Sequence, residues 1–143
     1  MNRAGRKVAL VTGSCGGIGR ALVKKYAAQG LALALADREQ SATESFVSEI
    51  NLKGGEAKSF AGDLTDQSYC DSLPLQVFNQ FGRIDILVNN AGLIRRGKIT
   101  DTSDEDFSLS IAVNVEAPFR LVRATIPIME KAGGGSIVNT SSC

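Results

Sequence analysis

Histidine is absent from the 143 residues. That one absence excludes Ser-His-Asp triads, histidine-based zinc sites and imidazole acid–base chemistry together. Cysteine is scarce: Cys15, Cys70 and Cys143 are odd in number and lack metal-ligand spacing. They read as free thiols of a reducing compartment, and no metal ligand is expected. No apolar run reaches the span of a membrane helix, and Val8–Val11 is too short for a signal-peptide core. A cytoplasmic location without a membrane partner is therefore the expectation. The formal net charge is only +1, with the basic residues scattered, so a nucleic-acid partner is not expected. Internal repeats, low-complexity tracts and linkers are missing too, and the length fits a single domain over 1–143.

What the chain does contain is the run Val8-Ala9-Leu10-Val11-Thr12-Gly13-Ser14-Cys15-Gly16-Gly17-Ile18-Gly19. A short apolar run of this kind reads as a buried parallel strand. It passes directly into a glycine-rich turn and then a helical pattern. Gly13 permits the tight turn, Gly17 permits a phosphate to approach the backbone, and Gly19 permits close packing of the helix on the strand. The helix N-terminus then offers free N–H groups to a pyrophosphate. A Walker-type loop would need Lys and Ser/Thr after the last glycine, and Arg20-Ala21 stands there instead. A dinucleotide loop asks for an acidic residue about twenty positions on, at the end of the second strand. Asp37 closes the apolar run Leu31–Ala36 at that place.

Strands and helices alternate along the rest of the chain. Ile18, Leu22 and Tyr26 recur at helical spacing until Gly30, and Gln40–Lys53 reads as a helix burying Phe46, Val47 and Ile50. A modest strand over Ala57–Ala61 precedes a helix from about Ser68 to Gln80, which Pro74 should kink or split. Ile84–Val88 reads as a strand and Leu93–Thr102 as loop. Ser103 with Asp106 resembles a capping pair that opens a long helical region to about Lys131, with irregularities expected at Pro118 and Pro127. Ser136–Thr140 reads as the fifth strand. This alternation predicts an α/β, doubly wound parallel sheet with helices on both faces.

In sum these residues resemble the short-chain dehydrogenase/reductase family, over essentially the whole chain. Thr12–Gly19 matches the family's Thr-Gly-x-x-x-Gly-x-Gly loop, and Asn89-Asn90-Ala91-Gly92 its Asn-Asn-Ala-Gly element. Val113-Asn114-Val115 falls where the family carries its active-site asparagine, and Gly135–Ser142 matches the strand leading to the catalytic serine. The resemblance implies a Rossmann-type sheet of order 3-2-1-4-5 and hydride transfer between NAD(P) and a small alcohol or carbonyl substrate. It implies a cofactor-binding set of Gly13, Ser14, Cys15, Gly17, Ile18 and Gly19, with Asp37 and Arg38 beside the ribose. Asp63 and Leu64 would face the adenine, and Asn90, Ala91 and Gly92 would complete the set. Asn114, kinking its helix and holding a relay water, and Ser142 are the implied catalytic positions. The helix around Val113–Lys131 takes part in subunit contacts in the family, so a homo-oligomer is an expected partner arrangement.

One departure carries weight. The family's Tyr-x-x-x-Lys motif is absent, since Tyr26 and Tyr69 are upstream and are followed four residues on by Gly30 and Leu73. The chain therefore reads as the front of a dehydrogenase, cut after the fifth strand and inactive alone, the alternative being a non-catalytic dinucleotide-binding module. A carboxylate at Asp37 would accept from ribose hydroxyls and repel a 2′-phosphate. Arg38 offers that phosphate a guanidinium, yet Ser14–Ile18 contains no cation to assist it. NAD is expected, with NADP as the alternative.

Overall fold

In the computed structural model, which describes residues 5–141, strand β1 (Val8–Thr12) is buried at every position. A strand covered on both faces has no place for a charge, which is why the run is apolar throughout. β2 (Ala32–Ala36) is as fully buried and lies parallel to β1. β3 (Glu56–Ser59) extends the sheet beyond β2, while β4 (Ile86–Asn89) and then β5 (Ser136–Asn139) extend it on the other side of β1. Every pairing is parallel and the order is β3-β2-β1-β4-β5, the expected Rossmann-type topology. The order reverses between β1 and β4, and there the loops after the two strands separate to leave a crevice.

Alternate strand residues serve opposite faces. Ala9, Val11, Leu33, Leu35 and Val88 pack with Val23 of α1 (Gly17–Ala28) and with Phe46 and Ile50 of α2 (Gln40–Leu52). Leu10, Ala34 and Leu87 pack with Leu73 and Val77 of α3 (Gln67–Phe81). On that same face, α4 (Asp104–Ile111) leads through a π turn (Ala112–Glu116) into α5 (Ala117–Lys131), whose Leu121 and Met129 join the core. Outside the core, Glu49 of α2 gathers Arg20 and Lys24 of α1 and Lys53 at 3.0–3.2 Å. The Lys53 and Lys24 ammonium groups hold the Glu49 carboxyl down at about 2. No described helix is long and apolar enough to cross a membrane.

The structure departs from the sequence reading at several points. The core position on α1 is Val23 rather than Ile18, which is 61% exposed. The helix begins at Gly17 on the crevice side, so its first apolar residue faces outward. α3 runs unbroken through Pro74. The proline costs the Cys70 carbonyl its helical donor, but Pro74 is buried and the helix continues past it to Phe81. β3 and β4 lie one or two residues from the predicted bounds, and a short 3-10 turn (Ile99–Asp101) interrupts the Leu93–Thr102 loop. Ser103 Oγ does accept the Asp106 N–H at 3.1 Å, whereas the Asp106 carboxylate turns to Arg95 instead of completing a reciprocal cap.

Pro118 disturbs the long helix, as expected, and the structure shows how. The Ala117 N–H donates to Ala112 O, five residues back, and Pro118 has no N–H for Val113 or Asn114. The ladder slips by one residue and opens the π turn. Pro127 leaves α5 unbroken. The turn and its flanks expose Phe107, Ile111, Val115, Phe119 and Ile126, and edge strand β5 exposes Val138 at 46%.

Candidate functional site

The crevice, of about 920 Å³, is lined by Gly13 and Cys15–Ile18 after β1, Asp37–Glu39 after β2, Gly62–Thr65 after β3, and Asn90–Leu93 after β4. All four segments follow neighbouring strand ends, as the topology requires of a switch-point site. The loop geometry comes from its glycines. Gly13 adopts φ +60, and a Cβ there would stand 2.8 Å from Ala91 Cα. A Cβ on Gly19 would collide with the Gly13 carbonyl, so the helix packs on the turn itself, one step beyond the strand contact that the sequence suggested. At Gly17 a Cβ would meet nothing within 4 Å. No side chain caps α1, and its first-turn N–H groups lack intrahelical partners. A free N–H face under an open space left by a missing Cβ suits a pyrophosphate.

Thr12 joins this loop to the one after β4. Its buried Oγ1 accepts the N–H groups of Asn90 and Ala91, both at 3.1 Å, and donates to Val88 O. The Asn90 side chain turns the same way, with Nδ2 donating to the Thr12 and Gly13 carbonyls at 3.2 Å. Asn90 thus clamps the glycine-rich loop after β1, and its backbone turn with Ala91 and Gly92 lines the crevice. The sequence reading did not single out Thr12. A hydroxyl at the buried end of an apolar strand was the available signal.

Asp37 is held at both oxygens. Oδ2 accepts the Cys15 N–H and Oδ1 the Arg38 N–H, each at 2.8 Å. Cys15 itself fills its loop position, with Sγ 3.7 Å from the buried Thr43 hydroxyl. Asp63 Oδ1 accepts from the Thr65 N–H and hydroxyl, which together hold its carboxyl below the usual range. Arg38 reaches toward Asp63 at 4.0 Å, with its side chain largely in solvent. The Leu64 carbonyl accepts from Cys70 Sγ at 3.3 Å, and burial pushes that thiol up to about 11. Tyr69 also lines this end of the crevice.

Asn114 stands in the π turn beside the opposite wall. Oδ1 accepts the Leu93 N–H and Nδ2 donates to Leu93 O, both at 2.8 Å. Both ends of the side-chain amide thus engage Leu93 and position the loop. Arg95, Leu109 and Val113 complete the lining here, and the sequence reading assigned none of them to the site. The structure brings together every predicted cofactor residue except Ser14 and Gly19 as lining; Ser14 is buried behind the loop, its Oγ donating to Ala36 O. Ser142 lies outside the described residues.

Comparison with known proteins agrees with this geometry. The family model described as short chain dehydrogenase matches residues 7–143. The chain belongs to the short-chain dehydrogenase family of oxidoreductases. It is 41% identical over 136 residues to an uncharacterized oxidoreductase of Thermotoga maritima, covering 95% of this chain and 53% of that protein. It is 37% identical to the D-threitol dehydrogenase of Mycolicibacterium smegmatis, covering 95% of this chain and 52% of the relative. Among solved structures, a metagenomic short-chain oxidoreductase in complex with NADP superposes with a TM-score of 0.91 at 36% identity. That superposition covers 99% of this chain and 65% of the other. The chain thus spans about half the length of the curated relatives it matches.

Proposed function

We propose that this chain supplies the cofactor-binding part of an oxidoreductase that moves hydride between a nicotinamide dinucleotide and an alcohol/carbonyl pair. The observation carrying the proposal is the crevice in which an uncapped helix start, the open face of Gly17 and the anchored Asp37 carboxylate converge. The first-turn N–H groups would hold the pyrophosphate, Asp37 the ribose hydroxyls, and Asp63 with the Leu64 backbone the adenine. The bound cofactor supplies or accepts the hydride. Asn114 fixes the wall of the reacting end through Leu93, and Ser142 would hydrogen-bond the substrate oxygen. A proton donor and the lysine that lowers its pKa are not among these residues, so we place them in further chain of the same enzyme. Residues 1–143 alone should show no turnover with alcohols, ketones and NAD. Measurable turnover would contradict this division of labour and the alternative reading as a non-catalytic binding module alike.

Within this reading we assign NAD as the preferred cofactor. The solved neighbour holds NADP, so the fold by itself does not favour NAD. Preference then rests on local charge. Two N–H groups fix Asp37 as an acceptor, and the lining segment Cys15–Ile18 carries no cation to offset its charge against a 2′-phosphate. Asp37→Ala should weaken NADH binding about tenfold or more, the worth of charge-assisted hydrogen bonds to the ribose, and leave NADPH binding unchanged or tighter. Parallel titrations with the two cofactors check this; equal losses would remove Asp37 from the ribose.

A further inference from the structure

The wall of the crevice that carries Asp63 and Leu64 has no regular secondary structure of its own, yet it is held on two sides. On one side the chain continues the β3 pairing past the strand end. The Phe60 N–H donates to Leu35 O and the Gly62 N–H to Asp37 O, both at 2.9 Å. On the other side stands the first turn of α3, capped by Asp66 through the Ser68 and Tyr69 N–H groups. The Tyr69 ring lies where a Cβ on Gly62 would be, with ring carbons Cδ2 and Cζ at 2.5 and 2.6 Å from that point. The Tyr69 hydroxyl donates to the Phe60 carbonyl. Burial pushes this phenol above its ordinary value, so it remains a neutral donor through the physiological range. A phenol buried this far takes a hydrogen-bond partner whatever its role, and what sets Tyr69 apart is the bare glycine beneath its ring. Here the ring also reaches the crevice beside Asp63, Leu64 and Thr65.

From this geometry we infer that Tyr69 is the positioning residue for adenine recognition. Its ring, seated over Gly62, fixes Phe60–Gly62, and so sets where the Asp63 carboxylate and the Leu64 backbone meet the base. The inference rests on the dinucleotide reading above and adds a residue to it. It predicts more than affinity. A carboxylate held at the adenine edge accepts from the 6-amino group and repels the carbonyl oxygen that replaces it in a hypoxanthine base.

The test compares NADH with its reduced hypoxanthine analogue on the full-length protein. The wild type should prefer NADH by about tenfold, the scale of one hydrogen bond against one repulsive contact. Tyr69→Leu should lower this preference to about twofold or less, because Asp63 is no longer held in register. Tyr69→Phe, which keeps the ring over Gly62, should stay within about twofold of the wild-type preference. A role confined to general stability would weaken both ligands alike and leave their ratio unmoved. If Tyr69→Leu fails to fold, Gly62→Ala displaces the ring from the other side of the contact and should lower the ratio in the same way. An unchanged ratio in the variant that folds, or a wild type that binds both ligands equally, overturns the inference. A wild type that binds neither ligand overturns the dinucleotide reading itself, a separate result.

Discussion

Gly19→Ala should abolish useful dinucleotide binding and lower stability together. The new methyl group would overlap the Gly13 carbonyl, with Gly13 C and Ser14 Cα also 2.9 Å away. All three are backbone atoms, so no side chain can rotate aside. Relief requires the start of α1 to move off the turn, which carries its N–H groups away from the crevice. Overpacking of this kind costs about 2–3 kcal/mol, and displacing the helix start should cost about 100-fold or more in NADH affinity. Gly17→Ala is the matched control. Its methyl group meets no protein atom within 4 Å and projects into the space assigned to the phosphate. Melting should be nearly unchanged while NADH binding still falls. The pair separates two uses of glycine in one loop, and thermal melts alongside cofactor titrations read both. Equal behaviour of the two variants would contradict the assignment.

Removing Asp85 should produce the largest loss of stability away from the crevice. This carboxylate lies just before β4, where Oδ2 accepts the Val8 N–H at 2.8 Å and the Arg83 Nε–H at 2.9 Å. Oδ1 accepts from Arg83 Nη2 at 2.6 Å, so the guanidinium binds as a fork. The Val8 N–H opens the central strand, and the Asp85 carboxylate is its acceptor. Asp85→Ala leaves that buried donor unpaired and a guanidinium without its partner, at a cost of about 3 kcal/mol. For a chain of this size the melting point should drop by about 10 °C. Asp85→Asn keeps an acceptor and should lose less.

The same group sets an acid limit. Burial pushes the Asp85 carboxyl up, but Arg83 and the Val8 N–H outweigh it and hold it below its ordinary value. A carboxyl lowered in the folded state stabilises fully above its unfolded pKa of about 4, and that contribution disappears as the pH falls through the lower, folded value. Wild-type stability should therefore decline below about pH 4 more steeply than that of Asp85→Asn. Denaturant midpoints measured across this range would show parallel curves if the pair contributed nothing.

The parts of the site visible in the sequence are those whose cause is local. A buried strand, a turn that demands glycine and a helix start occupy one continuous stretch, so Val8–Gly19 revealed its own geometry. Asp37 was legible because it closes the neighbouring parallel strand, and parallel strand ends converge. The resemblance singled out Asn114, but the contact it makes was not visible in the sequence. The backbone it clamps belongs to Leu93, 21 residues away. Tyr69 was set aside as the wrong tyrosine for catalysis, and only the contact with Gly62 reveals its place in the crevice wall. Ile18 and Pro74 show the reverse limit. Helical spacing grouped Ile18 with Leu22 and Tyr26 without showing which of them the core buries, and Pro74 was expected to kink or split its helix because burial by tertiary neighbours is not written in local propensity.

The central claim is that the crevice between the β1 and β4 loops holds a nicotinamide dinucleotide, and NADH emission tests it directly. The sequence contains no tryptophan, so protein fluorescence offers little background or competing transfer. Titration of the full-length protein should give enhanced NADH emission that saturates at one equivalent per chain and is reversed by ADP-ribose. Emission that stays that of free NADH at every protein concentration, in a preparation that melts cooperatively, would contradict the account.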